Sequence, residues 1–126
     1  MPVIGLDHIL IAIPEGCEAT ARWFYGGLLG LAEIPKPPNL AVRGGVWFRC
    51  GPVQVHLGVE ADFCPALKAH PGFLVVNLAD MVRTCEAAGF PTKADEPLEG
   101  VVRVHLADPF GNRIELLERT IADGDR

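Results

Sequence analysis

The sequence predicts an α+β fold built from two tandem modules, each of which runs from a strand to a helix and then to further strands. Apolar stretches of strand length recur in the same order in the two halves, and each half has one stretch with helical spacing. Turn-forming residues, 14 Gly and 11 Pro, separate these stretches. A chain of 126 residues can bury the core of one domain, so we expect a single domain over residues 1–126.

The first module covers about residues 3–60. The apolar run Leu6–Ile13 has the length of a strand, and a helix follows whose inward residues recur at i, i+3 and i+4. These inward residues are Thr20, Trp23, Phe24, Leu28 and Leu31, with Gly30 as a stop signal near the end. Residues 35–39 are predicted to form a loop or an edge strand. Alternating residues around Gly51-Pro52 indicate a hairpin of Val46–Cys50 and Val53–Leu57.

The second module covers about residues 70–119, after a connection at residues 61–69. His70–Val76 is predicted as its first strand, and Asn77 is placed to cap the next helix, with Asp80 three residues later. The apolar stripe and the end of this helix are formed by Val82, Cys85, Ala88 and Gly89. The last two strands, Val101–Leu106 and Arg113–Leu117, flank a turn at residues 108–112. Residues 120–126 form a tail whose end, from Ile121, we expect to fray.

Residue types that bind metals occupy matching positions in the two modules. His8 and His70, 62 positions apart, each stand at the head of a module's first strand. His56 and Glu115, 59 positions apart, each lie in a module's last strand, between a β-branched residue and a leucine. If the modules pack about a pseudo-twofold axis, these four side chains can converge on one point.

Alternation along the strands separates an aliphatic face from a polar face. The aliphatic face is predicted to pack under the helices, and its members are Val46, Phe48, Cys50, Val53, Val55, Leu57, Val102, Val104, Leu106, Ile114 and Leu116. The opposite face is expected to line a cavity. Its candidate substrate-pocket residues are Trp47, Arg49, Gln54, Arg103, His105 and Arg113. Arginines of this kind can clamp a carboxylate or a phosphate.

Charge and composition exclude several classes of partner. A net charge of −5 argues against a nucleic-acid surface, which needs clustered Lys and Arg. The apolar stretches fall far short of the roughly 18 residues that predict a membrane span. The N-terminal stretch lacks the basic region and cleavage site of a signal peptide. The four cysteines contain no C-x-x-C spacing and are expected to be reduced thiols, typical of a cytoplasmic protein.

Three stretches of the sequence resemble the vicinal oxygen chelate superfamily. They are Leu6-Asp7-His8-Ile9, His70-Pro71-Gly72-Phe73 and Asp108-Pro109-Phe110-Gly111-Asn112-Arg113-Ile114-Glu115-Leu116. The last is the most specific, and the resemblance covers roughly residues 4–119. This superfamily contains glyoxalase I, fosfomycin-resistance enzymes, methylmalonyl-CoA epimerase, extradiol dioxygenases and bleomycin-resistance proteins. The resemblance implies two tandem βαβββ modules that form a curled mixed sheet around a central cavity.

The resemblance also implies a divalent metal, with His8, His70 and Glu115 at the family's ligand positions. His56 falls where glyoxalase I has a glutamate, and the interpretation of its role stays open between ligand, acid or base, and pocket residue. Such a donor set suits Zn, Ni, Fe, Mn or Co, with the metal acting as a Lewis acid. Glu115 and His56 are the candidate catalytic residues, Glu115 as a base toward a carbon next to a carbonyl.

The resemblance leaves the reaction open between glyoxalase-type isomerase or lyase chemistry and ring cleavage by a dioxygenase. His56 in place of a glutamate weakens the symmetric proton transfer of glyoxalase I, and as a ligand it would leave fewer positions for dioxygen and a catechol. Leu10 stands where fosfomycin-modifying enzymes have a threonine, which disfavours that chemistry. The substrate is expected to be a small metabolite that chelates through neighbouring oxygens.

A non-catalytic alternative is a binding protein that sequesters a drug or another small molecule in the same cavity. Superfamily members of this length are usually homodimers, so the resemblance implies a homodimer. Its sites could draw His8 and His56 from one chain and His70 and Glu115 from the other, or all four from the same chain.

Overall fold

The computed structural model describes residues 2–120, and the chain divides after Pro65 into two compact units, called unit 1 and unit 2. Each unit contains one four-stranded mixed sheet and few helices, which confirms the predicted α+β class and the tandem βαβββ arrangement. The expected fraying of residues 121–126 lies outside the described residues.

The sheet of unit 1 has the strand order β1-β4-β3-β2. Its strands are β1 (His8–Ile13), β2 (Ala32–Ile34), β3 (Val46–Cys50) and β4 (Val53–Val59). Strand β1 runs parallel to β4, whereas the β2–β3 and β3–β4 pairs are antiparallel. The predicted hairpin at Gly51-Pro52 is confirmed, because Cys50 pairs with Val53 across a two-residue turn.

The helix of unit 1 is not the regular α-helix that the spacing predicts. A single α-turn, α1 (Glu18–Ala21), widens into a π-helical segment, Arg22–Leu28, and Leu29 N–H donates to Phe24 O at 2.9 Å. The wider turn brings two successive aromatic residues, Phe24 and Tyr25, into the core and leaves Trp23 49% exposed. The prediction of Trp23 as an inward residue is therefore wrong, because it assumed 3.6 residues per turn.

The sheet of unit 2 repeats the topology with the order β5-β8-β7-β6. Its elements are β5 (Gly72–Leu74), α3 (Leu78–Ala87), β6 (Lys93–Ala94), β7 (Val101–Ala107) and β8 (Arg113–Arg119). Strand β5 is parallel to β8, and the other two pairs are antiparallel. Two short strands, β2 and β6, and the one-turn helix α2 (Pro38–Ala41) complete the fold without having been predicted.

The ends of α3 follow the prediction. Asn77 Oδ1 accepts the Asp80 N–H at 3.2 Å, and Asn77 Nδ2 donates to Asp80 Oδ2 at 2.8 Å. Gly89 has a φ of 93°, the left-handed conformation that ends a helix, and Phe90 N–H donates to Cys85 O at 2.9 Å. The helix buries Leu78 and Cys85.

The aliphatic face forms the core of each unit. In unit 1, Val46, Phe48, Val55 and Leu57 are buried, and in unit 2 Leu106, Ile114 and Leu116 are buried. Val102 is an exception at 47% exposure. The prediction for Val102 is wrong because β6 is only two residues long and ends opposite Val104, short of this position. No helix within residues 2–120 is long and apolar enough to cross a membrane.

Candidate functional site

Strand pairing places the four candidate metal ligands at equivalent positions of the two sheets. In unit 1, Leu10 of β1 pairs with His56 of β4, and His8 lies two residues before Leu10. In unit 2, Gly72 of β5 pairs with Glu115 of β8, and His70 lies two residues before Gly72. His8 therefore corresponds to His70, and His56 corresponds to Glu115. Each unit carries one pair of candidate ligands.

The pair in unit 1 belongs to a stack of three aromatic rings on adjacent strands. The ring centroids of His8 and His56 are 4.4 Å apart with an interplanar angle of 17°. Trp47 of β3, which pairs with His56, stacks on it at 3.8 Å and 2°. His56 is buried at 7% exposure, whereas the His8 side chain is 49% exposed. The stack holds the imidazole plane of His56 between two other rings.

His8 and His56 use different ring nitrogens in their hydrogen bonds. His8 Nδ1 lies 2.9 Å from Asp7 Oδ2, and a carboxylate can only accept, so Nδ1 carries a proton and, in the neutral ring, Nε2 has the free lone pair. His56 Nε2 lies 2.9 Å from Gln54 Oε1, so this nitrogen donates to the amide oxygen. His8 thus offers Nε2 to a ligand, while His56 would have to exchange its Gln54 bond or use Nδ1.

Burial lowers the pKa of His56 below its ordinary value of 6.5, and the neighbouring His8 and Lys36 lower it further, while Asp7 opposes the shift. A lowered pKa keeps the imidazole neutral at physiological pH. A neutral imidazole is the form that can accept a proton or bind a metal.

The pair in unit 2 lies in a charged environment. His70 Nε2 is 3.2 Å from Glu115 Oε1, and His70 Nδ1 is 2.7 Å from the carbonyl oxygen of Lys68. The carbonyl can only accept, so His70 Nδ1 carries a proton. Nε2 therefore faces the buried carboxylate either as a second N–H or as a lone pair. A bound cation between Nε2 and Oε1 would satisfy both atoms when the imidazole is neutral.

Arginines and one aspartate extend this charged environment along β7 and β8. Arg103 Nη1 lies 3.6 Å from Glu115 Oε1, and its Nε and Nη2 donate to the carbonyl oxygen of Glu96. Arg113 Nη2 pairs with Asp95 Oδ2 at 3.3 Å. The pKa of Asp95 is lowered, chiefly because its carboxylate accepts the Glu96 backbone N–H, with smaller contributions from Arg103, Arg113 and His105. The network holds two guanidinium groups on the polar face of unit 2.

The donor chemistry of these pairs fits a divalent metal. Imidazole nitrogen and carboxylate oxygen bind Zn, Ni, Fe, Mn and Co, and adjacent ligand atoms of such an ion lie about 2.8–3.6 Å apart at bond lengths of about 2.0–2.2 Å. The 3.2 Å between His70 Nε2 and Glu115 Oε1 falls in that range. His8 and His70 each donate a ring N–H, His8 to Asp7 and His70 to the carbonyl oxygen of Lys68. Hydrogen bonds of this kind orient metal-bound imidazoles in proteins.

Within either unit, the described residues contain no group of three or more His, Cys, Asp or Glu side chains that could hold a metal ion. Each unit therefore provides half of the predicted ligand set. Of the candidate substrate-pocket residues, Trp47 and Gln54 contact His56, and Arg103 pairs with Glu115. Arg49 is exposed opposite Gln54, and His105 pairs across the sheet with Glu115.

Three contributors were missed by sequence reasoning. Asp7, to which the sequence analysis assigns no role, bonds His8. Lys36 and Asp95, in loops beside the sheets, act on His56 and Arg113. Asp7 could have been found from its position directly before a candidate ligand, whereas Lys36 and Asp95 give no such signal because loop closure brings them near.

Solved structures share this fold over most of the chain. A protein from Bacillus anthracis assigned to the glyoxalase family is 44% identical, with 94% of this chain and 97% of that one covered and a TM-score of 0.89. A lactoylglutathione lyase from Agrobacterium tumefaciens is 22% identical, covers 93% and 95%, and has a TM-score of 0.70. A fosfomycin resistance protein from Listeria monocytogenes is 15% identical, covers 94% and 96%, and has a TM-score of 0.73.

No family model and no curated protein matches the sequence. The two likenesses below 25% identity show the fold alone. The 44% identity, over nearly the full length of both chains, goes further and shows common family membership. The chain therefore belongs to the glyoxalase family, within the vicinal oxygen chelate superfamily.

Proposed function

We propose that the protein is a divalent-metal-dependent enzyme of the glyoxalase type. Its substrate would be a small metabolite with neighbouring oxygens, and its reaction an isomerisation or a lyase step. The observation that carries the proposal is the pair of His70 Nε2 and Glu115 Oε1, 3.2 Å apart, with His70 Nδ1–H held by the Lys68 carbonyl. When the imidazole is neutral, this arrangement aims a nitrogen lone pair and a carboxylate at the same space.

The proposed ligands are His8, His56, His70 and Glu115, two from each unit. A metal held there would supply Lewis acidity, which polarises a substrate oxygen and acidifies a neighbouring C–H bond. The pairs could come from one chain or from two chains of a homodimer, which is the assembly that we propose. Sedimentation of the purified protein tests the dimer, and a monomeric profile would contradict it.

Glu115 is the proposed base. Its carboxylate is buried, so few water molecules compete for its oxygens. Arg103 Nη1 lies 3.6 Å from one of these oxygens, Oε1. A carboxylate in this position can take a proton from a carbon next to a carbonyl and return it to the neighbouring atom. His56, neutral because of its lowered pKa, is the second candidate acceptor. Trp47 and Gln54 would keep its ring in one orientation.

Metal analysis is the first test. Protein purified without a metal-affinity resin is expected to contain, or to take up on reconstitution, about one divalent ion per chain. His70→Ala and Glu115→Ala should each lose the ion, whereas Glu60→Ala, at an exposed residue, should keep it. The loaded enzyme is then screened on hemithioacetals, 2-oxo acids and catechols. Metal-free protein that cannot be reconstituted, yet binds aromatic drugs, would instead identify a non-catalytic binding protein.

A further inference from the structure

Unit 2 contains a cleft of about 490 Å³ whose rim is basic. It lies where β7 ends and β8 begins, beside the loop that follows α3. Three side chains that can donate hydrogen bonds to an anion, Lys93, His105 and Arg113, line it. Its apolar lining includes Leu67, Phe90 and Pro91. The cleft thus combines donors with an apolar wall, as small-molecule sites do.

Arg113, which lines this cleft, has one hydrogen-bond donor without an acceptor. Of the side-chain nitrogen and oxygen atoms buried within residues 2–120, Arg113 Nε is the one without a hydrogen-bond partner. A buried N–H of a charged group is costly to leave unpaired, so native structures almost always give it an acceptor. Asp95 fixes the other end of the guanidinium through Nη2 at 3.3 Å, and a ligand oxygen that displaces the atoms covering Nε–H would supply the missing acceptor.

The other charges of the cleft favour an anion. Within the described part of the chain, Lys93 forms no hydrogen bond or ion pair, and neither does the ring of His105. Asp108 is the carboxylate on the lining, and its oxygens already accept the N–H groups of Phe110 and Asn112 and the Asn112 amide. The free donors of the lining therefore belong to cationic or neutral side chains. Both oxygens of the Asp108 carboxylate are already hydrogen-bonded, which weakens its repulsion of an anion.

We propose that this cleft binds the anionic oxygen group of a small organic acid, a carboxylate or a phosphate. Arg113 and Lys93 hold its oxygens, His105 donates a further hydrogen bond, and Phe90 contacts its apolar part. As an anion site the cleft is independent of any metal. As a substrate subsite it rests on the proposed function.

Strand pairing specifies how such a substrate would lie. Glu115, His105 and Lys93 form one row across β8, β7 and β6. Neighbouring strands lie about 4.8 Å apart, so the backbone of Lys93 is about 10 Å from that of Glu115. The matching substrate class is a metabolite whose acidic group lies one to two strand spacings, about 5–10 Å, from the oxygens that react near Glu115.

The Nε–H resonance of Arg113 in a proton–nitrogen NMR spectrum reports directly on this site. Metal-free, isotope-labelled protein, kept in a chelator, is titrated with acetate, benzoate and inorganic phosphate. We expect the Arg113 Nε–H signal to shift and saturate with benzoate or phosphate, and benzoate to bind more tightly than acetate because of the apolar wall. Carboxylate and phosphate sources are distinguished by which titration saturates at the lower concentration.

Lys93→Gln, at an exposed edge residue that leaves folding intact, should weaken binding about tenfold or more. Arg113→Lys should abolish the reporter and weaken binding at least as much. Arg83→Gln, which removes an exposed arginine paired with Asp80 on α3, is the matched control and should bind as the parent does.

An Arg113 signal that does not move up to tens of millimolar of any of the three anions would overturn the proposal. So would an equal response of the Arg83 Nε–H signal, since this would indicate nonspecific ion pairing. Because the titration uses metal-free protein, failure to bind a metal contradicts only the proposed function, and failure to bind an anion contradicts only this site.

Discussion

Units 1 and 2 pair their strands in the same register but place opposite kinds of chemistry at the equivalent positions. In unit 1, His56 lies between the rings of His8 and Trp47 in an aromatic stack. In unit 2, Glu115 lies between His70 and the guanidinium of Arg103. The backbone repeat therefore determines where a side chain stands, while residue identity determines the electrostatics there.

The neighbouring strands follow the same rule. Trp47 pairs with His56 in unit 1, and His105 pairs with Glu115 in unit 2. The register also makes Gly45, the residue before β3, the counterpart of Arg103. Under the proposed function, unit 1 would supply two imidazole nitrogens, and unit 2 would supply a third imidazole nitrogen and the negative charge. Substitutions that alter one unit and leave the other intact can separate the two contributions.

Glu115→Gln should have the largest effect, because it removes the negative charge of unit 2 and keeps the size of the side chain. We expect activity on the substrate found in the screen to fall about 10²–10⁴-fold, the usual contribution of a general base. Steady-state kinetics measures the loss. Glu60→Gln is the control for a charge change at an exposed site, and activity of Glu115→Gln within threefold of the parent would remove Glu115 from the mechanism.

Gly45→Ala tests the backbone of unit 1 at the counterpart of Arg103. Gly45 has a φ of 91°, and an added Cβ would lie 2.3 Å from the carbonyl oxygen of Leu57. Strain and the displaced carbonyl together should lower the free energy of unfolding by about 3 kcal/mol, as chemical denaturation would show. Gly30→Ala shares the positive φ, at 83°, but meets no atom within 4 Å, so its smaller loss isolates the contribution of the clash.

Asp7→Ala tests how the two leading histidines are oriented. His8 depends on a carboxylate side chain, whereas His70 depends on the backbone carbonyl of Lys68, which mutation cannot remove. Loss of such an outer hydrogen bond typically reduces metal affinity about 10–100-fold. Competition with a chromogenic chelator measures the change. Unchanged affinity in Asp7→Ala would mean that the unit 2 pair alone determines binding.

Glu18→Gln should have the smallest effect, and its difference in stability from the parent should shrink in acid. The Gly45 backbone N–H, 2.9 Å from Glu18 Oε2, is the main cause that lowers the pKa of Glu18 below its ordinary 4.5, with help from Arg22 and Lys36. A carboxyl whose folded pKa is lowered stabilises the protein above its unfolded pKa, and this contribution is lost as the pH falls below 4.5.

The loss should be less than about 1 kcal/mol because the group is near solvent. Denaturation midpoints from pH 6 to pH 3 should decline less in Glu18→Gln than in the parent. A parallel decline in both proteins would show that the Gly45 hydrogen bond has no part in acid stability.

Sequence reasoning succeeded where the signal is local. The hairpin at Gly51-Pro52 and the caps Asn77 and Gly89 each depend on a few neighbouring residues, and the structure confirms them. Strands β2 and β6 and helix α2 were missed because elements of two to four residues are too short to establish a period. The π-helical segment was missed because its spacing exists only once Phe24 and Tyr25 pack into the core.

The candidate ligands show the same difference between local and long-range signals. Matching offsets in the two halves identified equivalent positions for His8 and His70, because a repeated backbone preserves register. The stack on His56, by contrast, needs β1, β4 and β3 to lie side by side, and the Arg113–Asp95 pair needs a loop to fold back onto β8. Neither contact produces a recognisable pattern in the sequence.

Alternation and spacing are properties of the chain, so they predict the class of fold, the family resemblance, and which residues stand at equivalent places in the two halves. The folded protein adds which nitrogen of each histidine is engaged, that Glu115 has Arg103 as a neighbour, and that the Nε–H of Arg113 lacks an acceptor. Hydrogen bonds and burial depend on distances between strands and loops far apart along the chain, and these distances exist only in the folded protein.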